Sequence, residues 1–337
     1  MVFWKTYPIS NVVKTIYCKH FSSAAFISQP FEKHAATSPT GRTYELASPH
    51  VLQEIHDYLK RYFGEPPTKP VLDIPLAQLL SERDHLLFVR DANGQIAGTL
   101  RYHYIGQMKC IVKPGISWHK EIYCVDCFCI HPQWKRKGVG DYLLTELHHY
   151  VNKWNIPYSV FLKEGQRLSI VHPPLYGGIY VYKEIEHSIK NIKDTEHTEH
   201  TQTIPIKLAY TLIEIWQQLY PNTVVITNWK SPNQLWKMYK KERHCILACI
   251  QDAYQRTNST NNKKIGWITG WLESPEITDE IRTEASNEIA NSAPFDYIWM
   301  NRLWTTDPAW KEDGPFYWYS YQWTTSHVMD RSYCIMN

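Results

Sequence analysis

Apolar and polar positions along the chain follow two periods, one typical of strands and one typical of helices. The clearest change of period lies in residues 122–151, where apolar and β-forming residues run from Ile122 to Ile130. After a basic, glycine-containing turn, apolar residues recur at helical spacing, namely Val139, Tyr142, Leu143, Leu147, Tyr150 and Val151. This pattern predicts a strand, a tight loop and a helix in direct succession.

The chain up to residue 193 divides into an irregular N-terminal arm, residues 1–42, and a first α/β half, residues 43–193, which contains this unit. Ser48-Pro49 predicts a helix start, and an apolar stripe then leads to Gly64. Asn93-Gly94 lies between two strand patterns and predicts a hairpin turn. The remaining predicted elements are a helix over 75–81, hairpin strands over 85–90 and 95–104, a short strand over 110–112, a strand over 157–162 and a strand pair around 179–185.

A second half, residues 204–337, repeats this order of elements after a polar linker over 194–203. The predicted elements are a helix over 207–220, a helix from Ser231-Pro232 through Leu235 and Tyr239, strands over 244–250 and 265–272, a helix over 275–291, and strands over 295–300 and 316–323. The pattern therefore predicts an α/β fold with a mixed sheet, made of two tandem halves. The basic glycine loop occurs only in the first half, so we expect that half to bind a cofactor and the other half to bind a substrate.

Composition narrows the class of protein. The chain has 337 residues, is 43% hydrophobic and carries a formal net charge of only +3, which does not favour a nucleic-acid binder. A run of about 18 apolar residues is absent, so no membrane span is expected. The N-terminus lacks the apolar core of a signal peptide, and eight cysteines in a chain of this length favour free thiols. We expect a soluble cytoplasmic protein that acts as a monomer.

Three cysteines lie close together on the Ile122–Ile130 strand, at Cys124, Cys127 and Cys129. A structural zinc ion needs four ligands, and no second pair at the required spacing lies nearby. In an apolar strand, cysteine behaves as a small hydrophobic residue. The His- and Thr-rich tract over 194–203 is interpreted as a linker rather than as a metal-binding segment. We therefore predict no metal site.

The loop from Lys135 to Gly140 (KRKGVG) is suited to an anion, because its glycines let the backbone approach closely and a helix start follows. It lacks the Gly-Lys-Ser/Thr ending of a nucleotide loop and the third glycine of a dinucleotide loop. It resembles the pyrophosphate loop of the GNAT acyltransferases, Arg/Gln-x-x-Gly-x-Gly/Ala. The alternative is a basic turn that caps a helix.

At several separated points the chain resembles the N-myristoyltransferases, which have a duplicated GNAT fold with one cofactor loop. Residues 3–8 (FWKTYP) are similar to their N-terminal Phe-Trp-x-Thr-Gln-Pro, and residues 127–131 (CFCIH) to their Phe-Leu-Cys-Val-His strand. Residues 295–303 resemble their Phe-Asp-Val-Phe-Asn-Ala-Leu strand, and residues 311–323 their Gly-Asp-Gly and Tyr-Tyr-Leu-Tyr-Asn-Trp block. The resemblance implies one compact, saddle-shaped fold of two GNAT-like halves.

The same resemblance assigns roles to individual residues. It implies backbone amides of Cys127 and Phe128 as donors to the thioester oxygen, and the terminal carboxylate of Asn337 as the base that accepts a proton from an N-terminal glycine amine. It implies coenzyme A binding by the loop and the N-terminal arm, through Phe3, Trp4, Lys5, Lys135, Arg136, Lys137, Gly138, Val139 and Gly140. The residues that it implies for the substrate peptide are Asp313, Gly314, Tyr317 and Tyr319.

These roles imply transfer of a myristoyl group from myristoyl-CoA to N-terminal glycines of proteins, with acyl-CoA as a co-substrate and no permanently bound cofactor. Gly138 and Gly140 replace the bulkier residues of the myristoyl enzymes, and the second half is shorter. Two alternatives therefore remain open: an acetyltransferase of the same fold acting on a protein or small-molecule amine, and a non-catalytic acyl-CoA-binding protein.

Overall fold

The helices of the chain are few and lie around an extensive sheet. A computed structural model describes residues 24–26, 37–63, 71–113, 116–168, 172, 174–186, 199–220, 224–228, 230–257, 262–325 and 333–335. The α-helices are α1 (Leu52–Tyr62), α2 (Leu76–Leu79), α3 (Val139–Lys153), α4 (Ile206–Leu219) and α5 (Asp279–Asn291). Pro132–Trp134 and Arg302–Trp304 form 3-10 turns. Among the helices of these residues, none combines the length and hydrophobicity needed to cross a membrane.

The strands of the first half and of the second half are numbered in chain order. The first set is β1 (Ala24–Phe26), β2 (Glu45–Leu46), β3 (Val71–Leu72), β4 (His85–Arg90), β5 (Ile96–Lys113), β6 (Ile116–Ile130), β7 (Ser159–Glu164) and β8 (Tyr176–Glu184). The second set is β9 (Thr201–Thr203), β10 (Val225–Thr227), β11 (Leu235–Lys241), β12 (His244–Arg256), β13 (Lys264–Glu273), β14 (Tyr297–Asn301), β15 (Lys311–Tyr321), β16 (Trp323–Thr325) and β17 (Tyr333–Ile335).

Strands of both halves interleave in one mixed sheet of 15 strands, while β1 and β16 pair separately. Strand β15 lies between β7 and β8, and β17 lies between β10 and β13. Because β13 also pairs with β14, the strands β5, β6, β7, β15, β8, β14, β13, β17 and β10 close into a hydrogen-bonded ring. Each half thus completes the sheet of the other. The α/β class and the mixed sheet predicted from the sequence are confirmed.

The largest core lies where strands of the two halves meet, and it is rich in tryptophan. Trp271 and Trp304 are fully buried and stack with ring centroids 5.6 Å apart. A second core lies between α3 and the neighbouring faces of β4, β5, β6 and β15, where Val139, Leu143 and Tyr319 are fully buried. The apolar stripe predicted for α3 therefore faces the sheet, as an amphipathic helix requires.

Several predicted elements are confirmed, and two strands are longer than the sequence pattern suggests. The β4–β5 hairpin turns at Gly94, whose amide donates to Asp91 at 3.0 Å. Strand β5 continues to Lys113, beyond the predicted end at Tyr104, and β6 begins at Ile116, before the predicted start at Ile122. The two strands pair with each other over this extension, and β10 of the second half pairs antiparallel with residues 107–109 of β5.

The helix predicted from Ser231-Pro232 through Leu235 and Tyr239 is wrong, since β11 occupies residues 235–241. Its side chains alternate between two cores: Trp236 packs in the one beside α4, whereas Tyr239 packs in the one between the halves. Pairing with β9 and β12 on both sides overrides the apolar spacing that the sequence shares with a helix.

Smaller differences concern the number and extent of individual elements. The strand pair predicted around 179–185 is a single strand, β8, and the last residues of the predicted linker form β9, because they pair with the edge of β11. The closing strand begins at Lys311 rather than at Phe316, since it pairs there with β8. It breaks at Gln322, whose φ of 68° interrupts an extended backbone. The predicted domain boundaries remain predictions.

Candidate functional site

Strands β6 and β7 diverge and open a V-shaped gap, which we call the V. Their parallel pairing comprises Tyr123 with Ser159 and Cys124 with Val160. Within residues 116–168, which the structure describes throughout, no further rungs follow, although β6 runs on to Ile130 and β7 to Glu164. The carboxyl ends of two parallel strands that separate provide a common place for a ligand to bind.

A β-bulge lies on the β6 side of the V. Thr99 pairs with Cys129 and Arg101 pairs with Asp126, so Cys127 and Phe128 together face one residue of β5. Cys127 has a φ of 45°. A bulge inserts a residue that the partner strand does not match and redirects the local backbone. The two residues predicted to supply oxyanion donors are therefore the two residues of the bulge.

Side chains from neighbouring elements hold this bulge in place. The Thr99 hydroxyl donates to the Cys127 carbonyl at 2.9 Å, and the Tyr58 hydroxyl donates to the Cys129 carbonyl at 3.3 Å. These bonds fix carbonyls on both sides of Phe128. They come from β5 and α1, so the bulge is braced by two separate elements.

An ion pair lies directly beside the bulge. Arg101 is 5% exposed and donates to both carboxylate oxygens of Asp126, at 2.6 and 2.5 Å, and to the Gln78 carbonyl at 2.9 Å. Burial disfavours its charged form, but Asp126 outweighs this effect and raises the pKa of Arg101 above its usual range. A buried pair with satisfied donors fixes local geometry at the cost of desolvation.

The basic loop follows β6 at the open end of the V. Lys135, Arg136, Lys137 and Gly138 are exposed, whereas Val139 is fully buried. Gly138 has a φ of 88° and is the residue before the first turn of α3, and the first amides of a helix have no intrahelical acceptor. The exposed charges and these amides suit the phosphates of a ligand, while Val139 anchors the loop in the core.

The thiols of β6 are not activated. Burial raises the pKa of Cys124 and Cys127 above the usual range and that of Cys129 to about 11. A thiol with a raised pKa stays protonated near neutral pH and is a poor nucleophile. Nothing in these surroundings, within the part of the chain that the structure describes, activates the three thiols as nucleophiles, and the prediction that these cysteines pack as small hydrophobic residues is confirmed.

On the face of the V opposite α3, a cleft of about 750 Å³ lies between the two halves. Its first-half wall includes Cys127 of the bulge and Leu162 of β7, and its second-half wall includes Trp267 and Tyr254. Trp318 of β15, inserted between β7 and β8, also lines it. A ligand held in the V can thus present a reacting group to a second ligand in the cleft.

Sequence reasoning did not identify the charged side chains that line this cleft. Arg101, Asp126 and His103 lie there, and His103 shares a 2.8 Å hydrogen bond with Asp84. Arg101 and His103 alternate with apolar residues on β5, a pattern that is typical of any half-exposed strand. Their grouping depends on the pairing of β5 with β6, which has no local motif.

The predicted peptide-binding residues lie on β15, and none of the four lines the cleft. Tyr319 is fully buried beside α3, accepts a hydrogen bond from the Leu168 amide at 3.1 Å and stacks on Phe161. Asp313 and Gly314 lie at an irregularity in the pairing of β15 with β8, and burial raises the pKa of Asp313. Tyr317 is half-buried and packs against the core beside α3. Their role in substrate binding remains a prediction.

Four predicted site residues lie outside the described residues: Phe3, Trp4, Lys5 and Asn337. Close to the last of them in sequence, β17 pairs in parallel with β10, with Cys334 beside Val225 and Ile335 beside Ile226. The next residue of β10, Thr227, lines the cleft. Strand β17 therefore runs towards the cleft.

Comparisons with known proteins agree with this geometry. Residues 52–168 match the sequence model described as the Acetyltransferase (GNAT) family. This segment contains the bulge, the basic loop and the parallel strands of the V. The comparison with curated proteins found no match to this sequence.

The solved structures extend the similarity to the entire chain. One structure of N-myristoyltransferase from Saccharomyces cerevisiae with bound myristoyl-CoA has a TM-score of 0.62 and 12% identity, covering 97% of this chain and 89% of that chain. Another, with bound myristoyl-CoA and inhibitors, has a TM-score of 0.61 and 12% identity, covering 96% and 90% of the two chains. The chain thus has a GNAT-type acyltransferase fold, and over its whole length that fold is the one of the N-myristoyltransferases. The resemblance predicted from the sequence is confirmed at the level of the fold.

Proposed function

We propose that this protein is an acyl-CoA-dependent N-acyltransferase and that it transfers a myristoyl group from myristoyl-CoA to the N-terminal glycine of proteins. One observation carries the proposal: a V with a bulge at Cys127 and Phe128 joins an exposed basic loop on one side to a large cleft on the other. Acyl-CoA and an acceptor amine need such a pair of connected sites. The full-length similarity of fold to an enzyme solved with myristoyl-CoA supports the choice of acyl donor.

In the proposed reaction, the loop amides at Gly138 to Gly140 and the charges of Lys135, Arg136 and Lys137 bind the coenzyme A phosphates. The Phe3-Trp4-Lys5 segment covers the nucleotide end. The thioester lies in the V, with its carbonyl oxygen facing the bulge amides. Negative charge develops on that oxygen during attack, so fixed donors there lower the barrier.

The acceptor is an N-terminal glycine amine in the cleft, where Tyr254, Trp267 and Trp318 line the walls that would contact the peptide. The residues predicted for the peptide on β15, Asp313, Gly314, Tyr317 and Tyr319, do not line this cleft. The amine attacks the carbonyl carbon, the C–N bond forms, and coenzyme A leaves as a thiolate. At neutral pH the amine arrives as an ammonium ion, and a carboxylate beside it holds this form and accepts its first proton, which leaves the neutral amine next to the thioester. We propose the terminal carboxylate of Asn337 for this role, because β17 runs towards Thr227 on the wall of the cleft.

The proposal is tested by incubating the protein with a series of acyl-CoAs, from acetyl to palmitoyl, and a peptide that begins with glycine. We expect transfer to the amine to be highest for myristoyl-CoA. A parallel sample carries additional residues after Asn337, and we expect its transfer rate to fall by at least about 100-fold if the carboxylate takes part. Coenzyme A binding without transfer to any amine would leave a non-catalytic acyl-CoA-binding protein.

A second candidate, transfer of an acetyl group, is favoured by the match of residues 52–168 to an acetyltransferase family. The cavity between α3 and the base of the V is also only about 20 Å³, with Phe161 and Tyr102 in its walls. That cavity is too small for a myristoyl chain, which favours a short acyl group. A maximum at acetyl-CoA in the same series would select this alternative.

Cytoplasmic localisation and a monomeric state remain predictions.

A further inference from the structure

A histidine–aspartate pair lies on the wall of the cleft. His103 of β5 lines the cleft, and its Nδ1 shares a hydrogen bond of 2.8 Å with Oδ1 of Asp84. The carboxylate of Asp84 also accepts from the amides of Tyr104 and Ser81, each at 2.9 Å. Both oxygens are thus fixed by backbone donors, and the imidazole that they hold has one orientation.

This orientation leaves the second ring nitrogen of His103 for the cleft. The side chain of His103 is 21% exposed, whereas that of Asp84 is 0% exposed. In the part of the chain that the structure describes, no protein group hydrogen-bonds to Nε2 of His103. A buried carboxylate that holds Nδ1 of an imidazole keeps Nε2 available to accept a proton and stabilises the imidazolium that forms.

The charge of Asp84 is consistent with this role. Burial alone would raise its pKa, but the hydrogen bond and charge of His103, together with Arg101, outweigh burial and hold the pKa of Asp84 well below its usual range. Asp84 therefore remains a carboxylate near neutral pH. Its charge is available to stabilise a protonated His103.

The position of His103 along the sheet places it on the same cleft wall as the bulge. His103 pairs with Cys124 across β5 and β6, and the bulge begins at Cys127, which is about 10 Å further along the strand. Both His103 and Cys127 line the cleft. An amine that approaches a carbonyl at the bulge from the cleft therefore meets the wall that carries His103, and water in the cleft can carry its proton to Nε2.

We propose that His103, held by Asp84, is a second general base, which accepts the proton that the neutral amine loses as it attacks the thioester. This inference rests on the proposed function. As the C–N bond forms and the C–S bond breaks, the nitrogen loses one proton through water to Nε2 of His103. The electron pair leaves with the coenzyme A sulfur, and the imidazolium then returns the proton to solvent or to that thiolate. Amide and free coenzyme A are the products.

This assignment gives the two ends of the acceptor site separate tasks. A terminal carboxylate near Thr227 would hold the ammonium form of the amine and accept its first proton, which frees the lone pair for attack. His103 would accept the second proton, which the nitrogen loses as the C–N bond forms.

The test compares single-turnover transfer from myristoyl-CoA, and from acetyl-CoA, to a glycine peptide in wild type and three variants. H103A removes the base, and H103N also lacks it but retains a side-chain donor for Asp84. We expect both variants to lose at least about 100-fold in rate, with an unchanged dissociation constant for acyl-CoA. We expect added imidazole to raise the rate of H103A at least about tenfold. H119A, which alters an exposed histidine of β6, retains the wild-type rate.

The outcomes are distinguishable. If the wild type transfers the acyl group and the rate of H103A lies within threefold of the wild-type rate, the inference is overturned and the proposed function stands. Loss of rate in H103A that imidazole does not restore, together with weakened acyl-CoA binding, assigns His103 a structural role and also overturns the inference. Absence of transfer by the wild type to any amine overturns the proposed function and this inference with it.

Discussion

Gly140 lies against the ring of Phe128, so that a Cβ added to Gly140 would be 3.0 Å from Cζ of Phe128. Phe128 is part of the bulge on β6, and Gly140 belongs to the first turn of α3. The contact therefore joins the two parts of the proposed acyl-CoA site, the predicted oxyanion donors and the predicted phosphate loop. A change in the spacing between them displaces both groups of donors relative to one thioester.

This contact predicts the effect of larger residues at position 140. G140A requires a shift of a few tenths of an ångström, which the 37%-exposed Phe128 can make, so we expect a change of less than about threefold in kcat/KM. G140V adds two methyl groups to the contact and we expect a loss of at least about tenfold. Steady-state kinetics with acyl-CoA measures both. Equal activity of G140V and wild type would show that the spacing is unimportant.

Gly138 allows a prediction with a closely matched control. Gly138 and Gly165 have φ angles of 88° and 74°, so alanine at either position costs about 1 kcal/mol of folding free energy. Gly138 immediately precedes the loop amides at the start of α3, whereas Gly165 follows β7. We expect G138A alone to weaken acyl-CoA binding, by about fivefold or more. Calorimetric titration measures this, and equal affinities of the two variants would contradict the assignment of the loop.

The Arg101–Asp126 pair predicts a loss of stability. D126N leaves Arg101, which is 5% exposed, without its carboxylate, and we expect the free energy of unfolding to fall by about 2 kcal/mol. The matched surface pair is Arg243 with Glu276, whose side chains are 77% and 68% exposed. E276Q should change stability by less than about 0.5 kcal/mol. Urea unfolding curves compare the two, and equal losses would argue against a buried pair.

His148 predicts a dependence of stability on pH. It is 3% exposed and bonded to the Tyr321 hydroxyl, and burial, with a smaller contribution from His149, lowers its pKa to about 3. The unfolded chain takes up a proton below about pH 6.5 and the folded chain does not. The stability that the neutral form contributes is therefore complete above pH 6.5 and is lost as pH falls towards 3.

The corresponding measurement is the free energy of unfolding of H148Q and wild type between pH 4 and 8. We expect the difference between them to change by about 1.4 kcal/mol per pH unit below pH 6.5 and to be constant above it. H119Q, which alters an exposed histidine, should follow the wild type. A constant difference over the whole range would mean that His148 does not carry this linkage.

The elements that the sequence predicted well are those with a strong local pattern. The unit from β6 through the loop to α3 combines an apolar run, glycines and a helical stripe, and each of these signals depends only on neighbouring residues. The Asn93-Gly94 turn is of the same kind. The bulge is different: Cys127 and Phe128 were placed by resemblance, since a bulge depends on the register against β5.

The parts that sequence reasoning missed depend on distant partners. The sequence predicts a helix where β11 lies because Leu235 and Tyr239, four residues apart, fit both the helical and the strand period, and only pairing with β9 and β12 decides between them. The closed ring of strands depends on β15 and β17 entering the sheet between strands that are far away in sequence. The His103–Asp84 pair joins β5 to a residue in the turn before β4, and no spacing rule relates them.

The most direct test of the central claim is to follow one reaction of the wild-type protein with myristoyl-CoA and a peptide that begins with glycine. Mass spectrometry identifies the acylated atom, and a thiol reagent measures the free coenzyme A that is released. The account predicts one acyl group on the N-terminal amine for each coenzyme A, and no product from the same peptide with an acetylated N-terminus. Release of coenzyme A without acylated peptide, or no release with any acyl chain, would contradict it.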